Sequence, residues 1–360
     1  MRIAVPFVAS LVLLAPTLAA AWSSPAHQAI AQAAQDRLDP APRKALAKIL
    51  QGTNVLSPGV LASVATWADD VRARAQHGTI PNQWTSVDIA EADQFNAHHP
   101  SNAQWHFVDL PLGAGGYPAT EPSPTDPLRP FVNHADIVHA ILQCIAILEG
   151  TIAPPNFTKL QAARWLVHLV GDLHQPLHVT SGYYKTTLPS FANTPILITD
   201  PIKAAKSGTL TDRGGNGLLF SASTSNNLHS LWDRCLPGVV SGATCSGGAD
   251  GFTPLAARLT GLMTPSAIAA ATTPGDHRTW AGIWVTDTLK KAVSAHAYPT
   301  SLTNGRINPD THGSEDSVLA LIVAPTKNAY TANQVAAARI QLLRAAIRLA
   351  AILNAINWPQ

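Results

Sequence analysis

The sequence predicts a single, mainly α-helical domain over residues 22–360. Long apolar segments with helical spacing recur along the chain, whereas the alternation typical of strands is scarce. Hydrophobic residues make up 46% of the 360 residues, which is enough for a sizeable core. Charged residues make up only 13% and the formal net charge is +2, so the sequence excludes binding to nucleic acid through a broad basic surface.

The helices are predicted from their spacing and their start signals. The first begins near Ser24, a candidate N-cap, with Pro25 at the first helical position. All the expected helices have apolar residues at helical intervals. They cover residues 23–38, 58–75, 134–149, 157–175, 277–295 and 331–355.

The remaining segments are predicted to contain little regular structure. The best short strand candidate is TPILITD at 194–200. Residues 76–130 and 181–216 are rich in turn-forming residues and are expected to be long loops. Long loops in compact domains tend to be functional.

Residues 1–21 are typical of a secretory signal peptide. One basic residue precedes an apolar run, and three alanines end it at a plausible cleavage site. A membrane anchor is the alternative, but Pro16 interrupts the run, which is shorter than the ~20 residues that a span needs. We expect cleavage after Ala21, which would make Trp22 the mature N-terminus of a secreted or periplasmic protein without a membrane anchor.

Three cysteines are too few for a disulfide framework, so the core must stabilise the fold. Cys235 and Cys245 flank a short loop rich in proline and glycine and are the predicted disulfide pair. Cys144 lies in an apolar helical segment and is expected to be a buried free thiol.

The stretch WLVHLVGDLHQPLH at 165–178 contains polar groups that an apolar helix would not bury without compensation. His168 and Asp172 are four residues apart and therefore share one helical face. Pro176 should end or kink the helix, which can turn His178 back toward the same cavity. A divalent cation would compensate these imidazoles and this carboxylate.

The same pattern recurs along the chain, and the whole set predicts a metal centre better than any one pair does. His229 and Asp233 are again four residues apart, in NLHSLWD. Further candidate donors lie in WADD, WHFVD and WSSPAH: Asp69, Asp70, His106 and His27. All these donors are nitrogen or oxygen, which favours a hydrolytic zinc site over a structural thiolate site.

Other histidines are expected to have structural roles. The offset of His174 from His168 puts it off the metal-facing side of the helix, so packing is the expected role. His134 and His139 have no ligand-like partner in the sequence.

The motifs WSSPAH, WADDVR, WHFVD, HLVGDLHQPLH, DRGGN and NLHSLWD follow one another in this order. Together they resemble the zinc-dependent type I nucleases, the nuclease S-one/P-one family, from residue 22 to about 233 and more weakly to the end. The resemblance implies a single-domain, almost all-helical fold of the phospholipase C and type I nuclease kind. It also implies three zinc ions per chain at the bottom of a cleft.

The resemblance further implies which residues bind each ion. The first zinc would be bound by Asp69, His106, His168 and Asp172, the second by His178, His229 and Asp233, and the third by His27, Asp172 and the backbone amine and carbonyl of Trp22. Asp172 would bridge two ions. The third site would depend on signal-peptide cleavage, because an amide nitrogen is a poor ligand.

The same resemblance implies roles at the catalytic and substrate sites. Asp69 and Arg72, three residues apart, would be catalytic, with Arg72 neutralising phosphoryl charge. Phe107 would stack on an unpaired base and Asp109 would accept hydrogen bonds from its edge. Asn216 would approach phosphate or order its loop. Without the resemblance, Arg72 would be interpreted as a solvated surface residue, Phe107 as part of the core and Asp109 as a turn cap before Pro111.

The implied activity is hydrolysis of single-stranded DNA and RNA to 5′-mononucleotides by an exported monomer, together with 3′-nucleotidase activity. A zinc-dependent phospholipase C is the main alternative; those enzymes usually have Glu where this chain has Asp233, and they lack the HFVD element. A zinc-scavenging protein is the second alternative, but the second zinc would have only three protein ligands and an open position.

Overall fold

The computed structural model describes residues 22–185, 194–245, 251–299, 301–308 and 316–359. Within these ranges the fold is mainly helical, as predicted. The proposed signal peptide, residues 1–21, lies outside the described residues. Among the described residues, no helix combines the length and the apolar character that crossing a bilayer requires.

The helices range from single turns to one of 29 residues. The α-helices are α1 (Ser24–Gln35), α2 (Pro40–Gln51), α3 (Val60–Val64), α4 (Trp67–His77), α5 (Ser86–His98), α6 (Ile137–Glu149), α7 (Lys159–Asp172), α8 (Pro176–Val179), α9 (Pro201–Ala204), α10 (Leu228–Ser230), α11 (Leu236–Ser241), α12 (Thr253–Leu262), α13 (Pro265–Ala271), α14 (Trp280–Ser294) and α15 (Lys327–Ala355). Short 3₁₀ helices cover Asn102–His106, Arg129–Phe131 and His277–Thr279, and Leu231–Cys235 is π-helical.

Helix α7 lies at the centre of the fold. A capping box between Thr158 and Gln161 starts it, because each side chain satisfies a backbone N–H group that has no partner within the helix. All residues from Trp165 to Asp172 are buried, so the helix is covered on every side by α1, α2, α4, α6 and α15. A polar residue on α7 is therefore brought into the core.

The segment predicted as one helix at 58–75 forms two helices, α3 and α4. The helix is interrupted at Ala65 and Thr66, which connect the two elements. The break lets the Ala65 carbonyl accept a hydrogen bond from His168 Nδ1 at 2.7 Å. A continuous helix would use that carbonyl within its own backbone, so the interruption serves the polar cluster described below.

The expectation of a long loop over 76–130 is wrong for part of that range. Helix α5 lies inside it, begun by a capping box between Thr85 and Asp88. Its helical pattern is weak because only Ala92 and Phe95 are buried. Apolar periodicity therefore did not reveal α5, whose start is defined by the capping box instead.

The described strands form a two-stranded and a six-stranded sheet. They are β1 (Leu110–Pro111), β2 (Thr180–Ser181), β3 (Tyr183–Lys185), β4 (Ile196–Ile198), β5 (Thr209–Thr211), β6 (Leu218–Leu219), β7 (Ser301–Asn308) and β8 (Ser317–Ala324). The pair β1–β2 is parallel. In the larger sheet β3 is antiparallel to β4 and β5, and β8 is parallel to β5 and β6 and antiparallel to β7.

The predicted strand at 194–200 is confirmed as β4, but the pair β7–β8 was not predicted. Strand β8 reads SVLALIVA, a short apolar run that periodicity cannot distinguish from a buried helix. The loop predicted at 181–216 is also partly wrong, because β3, β4, α9 and β5 lie within its described part.

The cysteine predictions are confirmed. Cys235 and Cys245 form a disulfide, and Cys144 is a buried free thiol on α6. Burial raises the pKa of the Cys144 thiol, which keeps it in the unreactive protonated form.

Candidate metal centre

The candidate metal centre is built around the C-terminal end of α7. Asp172 and His168 are both fully buried there, and Asp172 Oδ2 lies 3.1 Å from His168 Nε2. His106 ends a 3₁₀ helix and brings its Nδ1 to 2.9 Å from the same oxygen. The prediction that His168 and Asp172 share one helical face is confirmed. His106, which is 66 positions before Asp172, lies beside them.

Two further predicted donors complete this group. Asp69 on α4 places Oδ1 3.7 Å from His168 Nε2 and 3.9 Å from His106 Nδ1. His27 on α1 places Nε2 3.1 Å from Asp172 Oδ1. The two oxygens of Asp172 therefore face different sets of donors, the arrangement that a bridging carboxylate needs.

A second group lies next to the first. His178 Nε2 is 3.2 Å from His229 Nε2, which is 3.2 Å from Asp233 Oδ2. Helix α7 ends at Asp172, before the proline that was expected to end or kink it, and His178 lies on the short helix α8, which was not predicted. Gln175 was not predicted to take part, but its Nε2 donates to Asp233 Oδ1 at 2.9 Å and so orients that carboxylate.

Backbone carbonyls fix the orientation of three imidazoles. The Nδ1 atoms of His168, His178 and His229 donate to the carbonyls of Ala65, His106 and Gly214 at 2.7, 2.8 and 2.7 Å. In its neutral form, each ring would present the lone pair of its Nε2 toward the cluster, as metal-binding histidines do. Sequence reasoning missed these carbonyls because a backbone acceptor has no residue-type signature.

Gly171 makes room for the His27 ring. A Cβ atom at position 171 would lie 2.7 Å from His27 Nδ1 and 2.8 Å from its Cε1. Both rings beside this point are tightly packed, since His27 and His168 stack with their centroids 4.0 Å apart. Any larger residue at 171 would push His27 out of the cluster.

Trp22 is fully buried beside the second group. Its ring centroid lies 6.4 Å from that of Trp232, and the next residue, Ser23, donates its backbone N–H to the Asp233 carbonyl at 2.8 Å. Trp22, the predicted mature N-terminus, is therefore one residue away from a backbone hydrogen bond to Asp233 of the candidate centre.

The polar atoms of the cluster fit cations better than they fit each other. His178 Nε2 and His229 Nε2 both present lone pairs at 3.2 Å, which is repulsive unless a positive charge lies between them. In the part of the chain that the structure describes, Asp69 Oδ2, Asp172 Oδ1 and Asp233 Oδ2 are buried without a hydrogen-bond partner. Such groups are costly to bury, and divalent metal ions would satisfy them.

The pKa values of the histidines agree with this interpretation. Burial, with the charge of His178, lowers the pKa of His229 to about 3, and burial with the charge of Arg72 lowers that of His106 to about 3. These rings stay neutral and can act as ligands. Although burial opposes it, the Asp172 and Asp69 carboxylates raise the pKa of His168 to about 9, so a proton supplies the positive charge that a metal would supply.

The cluster reaches solvent along α4. Arg72 Nη2 donates to Asp69 Oδ1 at 2.7 Å, and the side chains of Arg72 and Asp69 remain 12% and 9% exposed. A cavity of about 160 Å³ opens over them and is lined by Ser24, Asp69, Asp70, Arg72, Ala73, Gln76 and His77. We call this cavity the α4 cleft. The Arg72 guanidinium in this cleft is a permanent positive charge at the edge of the candidate centre.

The predicted substrate-binding residues lie on adjacent segments. Ser181 Oγ donates to Asp109 Oδ1 at 2.5 Å and accepts from Gly214 N at 2.8 Å, which joins HFVD to DRGGN. Phe107 is half-buried. Asn216 Nδ2 donates to the Arg213 carbonyl at 2.8 Å, an interaction that orders the turn.

His174 packs as predicted and takes no part in the cluster. It is fully buried, its Nδ1 donates to the Val170 carbonyl at 2.7 Å, and its Nε2 lies 3.3 Å from Arg348 Nη1.

Comparison with known proteins places the chain in a family. A model of the S1/P1 nuclease family matches residues 22–357. Among curated proteins of Arabidopsis thaliana, Endonuclease 2 is 24% identical over 215 residues, which cover 59% of this chain and 54% of that protein. Endonuclease 3 is 22% identical over 213 residues, covering 59% and 53%. The chain spans about half the length of the curated relatives it matches. Since the family match extends over nearly all of the described residues, the chain belongs to the S1/P1 nuclease family.

Proposed function

We propose that this protein is an exported, zinc-dependent endonuclease that hydrolyses single-stranded DNA and RNA to 5′-mononucleotides. Removal of 3′-phosphates from nucleotides is proposed as a second activity at the same site. The observation that carries the proposal is the buried cluster of histidines and aspartates whose lone pairs converge beneath Arg72. Family membership supports the same reaction class.

Three zinc ions per chain are proposed for this cluster. Asp69, His106, His168 and Asp172 would bind the first, His178, His229 and Asp233 the second, and His27, Asp172 and the Trp22 backbone the third. Two candidate three-residue metal sites, His106–His168–Asp172 and His178–His229–Asp233, support the first two assignments. When bound, closely spaced zinc ions acidify water to supply a nucleophile near neutral pH and polarise phosphoryl oxygens.

The residues of this chain would bind and orient the phosphodiester. Arg72 points its guanidinium along Asp69 into the α4 cleft, where it would donate hydrogen bonds to a non-bridging phosphoryl oxygen. Its charge is offset by Asp69 in the ground state. As negative charge grows on the phosphoryl group, the guanidinium would stabilise it more strongly, which is how such a group lowers a barrier.

Base recognition is proposed at Phe107 and Asp109. Stacking on an aromatic ring contributes roughly 1–3 kcal/mol per base and requires an unstacked base, which favours single strands. Phe107 is half-buried and adjacent in sequence to His106, so a base stacked on its ring would lie beside the cluster. Asn216, whose amide orders the DRGGN turn, would keep this wall of the site in place.

Export is proposed because the third zinc site needs a free amine. Residues 1–21 read as a signal peptide, and cleavage after Ala21 would expose the Trp22 amine. We further propose that the mature protein is secreted or periplasmic, monomeric and without a membrane anchor.

Phospholipase C activity is the alternative that an assay must exclude. We would express the mature protein, measure its zinc content by elemental analysis, and assay single-stranded DNA and phosphatidylcholine with and without a chelator. The proposal predicts bound zinc and chelator-sensitive hydrolysis of DNA that exceeds any lipid hydrolysis. A higher rate on phosphatidylcholine would favour the phospholipase, and retained zinc without either activity would favour a zinc-scavenging protein.

A further inference from the structure

A second cluster of ligand-type side chains lies outside the candidate metal centre, where the sequence suggested no ligand partners. One ring nitrogen from His134, one from His139 and a carboxylate oxygen of Glu121 lie within 4.8 Å of one another. We propose that these three residues form a peripheral site for a divalent transition-metal ion, with Zn²⁺ as its natural occupant. The proposal does not depend on the nuclease activity.

The His139 ring is already held as a metal ligand requires. Asp136 Oδ1 lies 3.0 Å from His139 Nδ1, and Asp136 Oδ2 accepts from the Tyr117 hydroxyl at 2.9 Å. Asp136 is itself fixed, because it caps the start of α6 by accepting from Val138 N and His139 N. With the Nδ1 hydrogen donated to a carboxylate, the Nε2 lone pair is left for a cation and is made more basic.

The other two ligands face the same ring. The His134 and His139 rings meet edge to face with centroids 5.0 Å apart, and His134 Nε2 is 3.8 Å from Glu121 Oε1. Two imidazoles and one carboxylate are a common ligand set for zinc, with water in the remaining position. The side chains of His134 and Glu121 are 79% and 46% exposed, so an ion can reach them from solvent.

Arg129 competes for the same carboxylate and should limit the affinity. Its Nη1 contacts Glu121 Oε1, and a guanidinium beside a bound cation is unfavourable. The Arg129 side chain is nearly half exposed, so it can move into solvent when a metal binds. We therefore expect weaker binding here than in the buried centre, and readily reversible occupancy.

A bound ion would tie two segments together next to the proposed base site. Glu121 and His134 precede α6, whereas His139 lies in its first turn. Ile137, between the two histidines, donates its backbone N–H to the Phe107 carbonyl at 3.1 Å. Zinc at this site would thus stabilise the segment against which Phe107 is held.

The test is a zinc titration of the fully loaded protein by isothermal titration calorimetry, after dialysis that leaves the buried centre occupied. The variants are His134→Gln and Glu121→Gln, both at exposed side chains where folding is expected to survive. The matched control is His98→Gln, an exposed histidine at the end of α5 far along the sequence from this cluster. Circular dichroism would check that each variant is folded.

We expect wild type and His98→Gln to bind one additional zinc per chain. In His134→Gln and Glu121→Gln the dissociation constant of that ion should increase by at least about tenfold. The melting temperature of wild type, but not of these two variants, should rise with added zinc. Wild type without an additional binding event, or ligand variants that titrate like wild type, would overturn the proposal.

Discussion

Arg72 is the charged side chain that connects the buried cluster with the α4 cleft. Its contact with Asp69 lowers the pKa of that carboxyl against the effect of burial, so Asp69 is ionised and can bind a cation. The neighbouring Asp70 accepts a hydrogen bond from Thr66 Oγ1 at 3.3 Å, and burial with the charge of Asp69 raises its pKa to about 6. Two neighbouring carboxyls on one helix therefore differ in charge, with the pKa of Asp69 lowered and that of Asp70 raised.

Arg72→Ala should lower kcat on single-stranded DNA by about 10²–10³-fold, because a positive charge at the developing phosphoryl charge would be lost. Zinc content should stay close to that of wild type. Arg74→Ala is the matched control, since Arg74 lies on the same helix but pairs with the exposed Asp93. Steady-state kinetics and elemental analysis of both variants provide the check, and full activity in Arg72→Ala would contradict the assignment.

Phe107→Ala should raise KM for oligonucleotides much more than it changes zinc content, because the lost stacking is worth roughly 1–3 kcal/mol per base. Phe107→Tyr keeps an aromatic face and should largely restore the wild-type KM. An unchanged KM in Phe107→Ala would mean that the ring only packs against the protein.

Helices α7 and α8 show how much local sequence could predict. The four-residue spacing placed His168 and Asp172 together, and Pro176 was expected to end or kink the helix before His178, which lies beyond the end of α7. The spacing could not predict that His106, 66 residues from Asp172, would meet the same oxygen. Contacts between distant segments depend on packing, and here only the order of the motifs suggested them.

The last residue of α6, Glu149, has a buried carboxylate that connects this helix to other segments. Glu149 Oε1 accepts a hydrogen bond from His277 Nε2 at 2.9 Å. The same oxygen accepts from the backbone N of Asn357 at 3.2 Å and from its Nδ2 at 3.1 Å. The other oxygen, Oε2, accepts from Arg278 Nη2 at 2.7 Å. Burial would raise the pKa of Glu149, but these donors lower it below its usual value of 4.5. Glu149 thus links α6 to the segments before α14 and after α15.

Glu149→Gln should lower the free energy of unfolding by about 1–3 kcal/mol at pH 7, because the charged hydrogen bonds are lost. A depressed pKa in the folded state gives stability that is present above pH 4.5 and lost as the pH falls through the folded-state value. The difference between wild type and variant should therefore shrink in acid.

Urea unfolding of wild type and Glu149→Gln at several pH values tests this prediction. Asp93→Asn is the control, since Asp93 forms an exposed ion pair and its loss should change stability little. A difference between wild type and Glu149→Gln that does not vary with pH would show that the charge of Glu149 does not contribute.

The molecule as a whole collects its candidate ligands from helices that are far apart in the sequence. The sequence predicted the helical class and the identity of these residues, and the structure brings the histidines and aspartates together. The pair β7–β8 was missed because short apolar runs are ambiguous. The carbonyls of Ala65 and Gly214 were missed because acceptor backbone atoms are common to all residues.

The proposed role of Trp22 makes the mature terminus part of the site. A protein that retains Ala21 before Trp22 should bind one zinc fewer than a protein that begins at Trp22, because an amide nitrogen is a poor ligand. Intact-mass spectrometry would establish the terminus of each preparation and elemental analysis its zinc content. Equal zinc content in the two forms would remove Trp22 from the ligand set.

The central claim is that His27, Asp69, His106, His168, Asp172, His178, His229 and Asp233 enclose metal ions. The most direct measurement is an anomalous difference map, recorded at the zinc absorption edge, from crystals of the mature protein grown without added zinc. The account predicts three peaks among these side chains. A map without a peak between them, in an active protein, would contradict it.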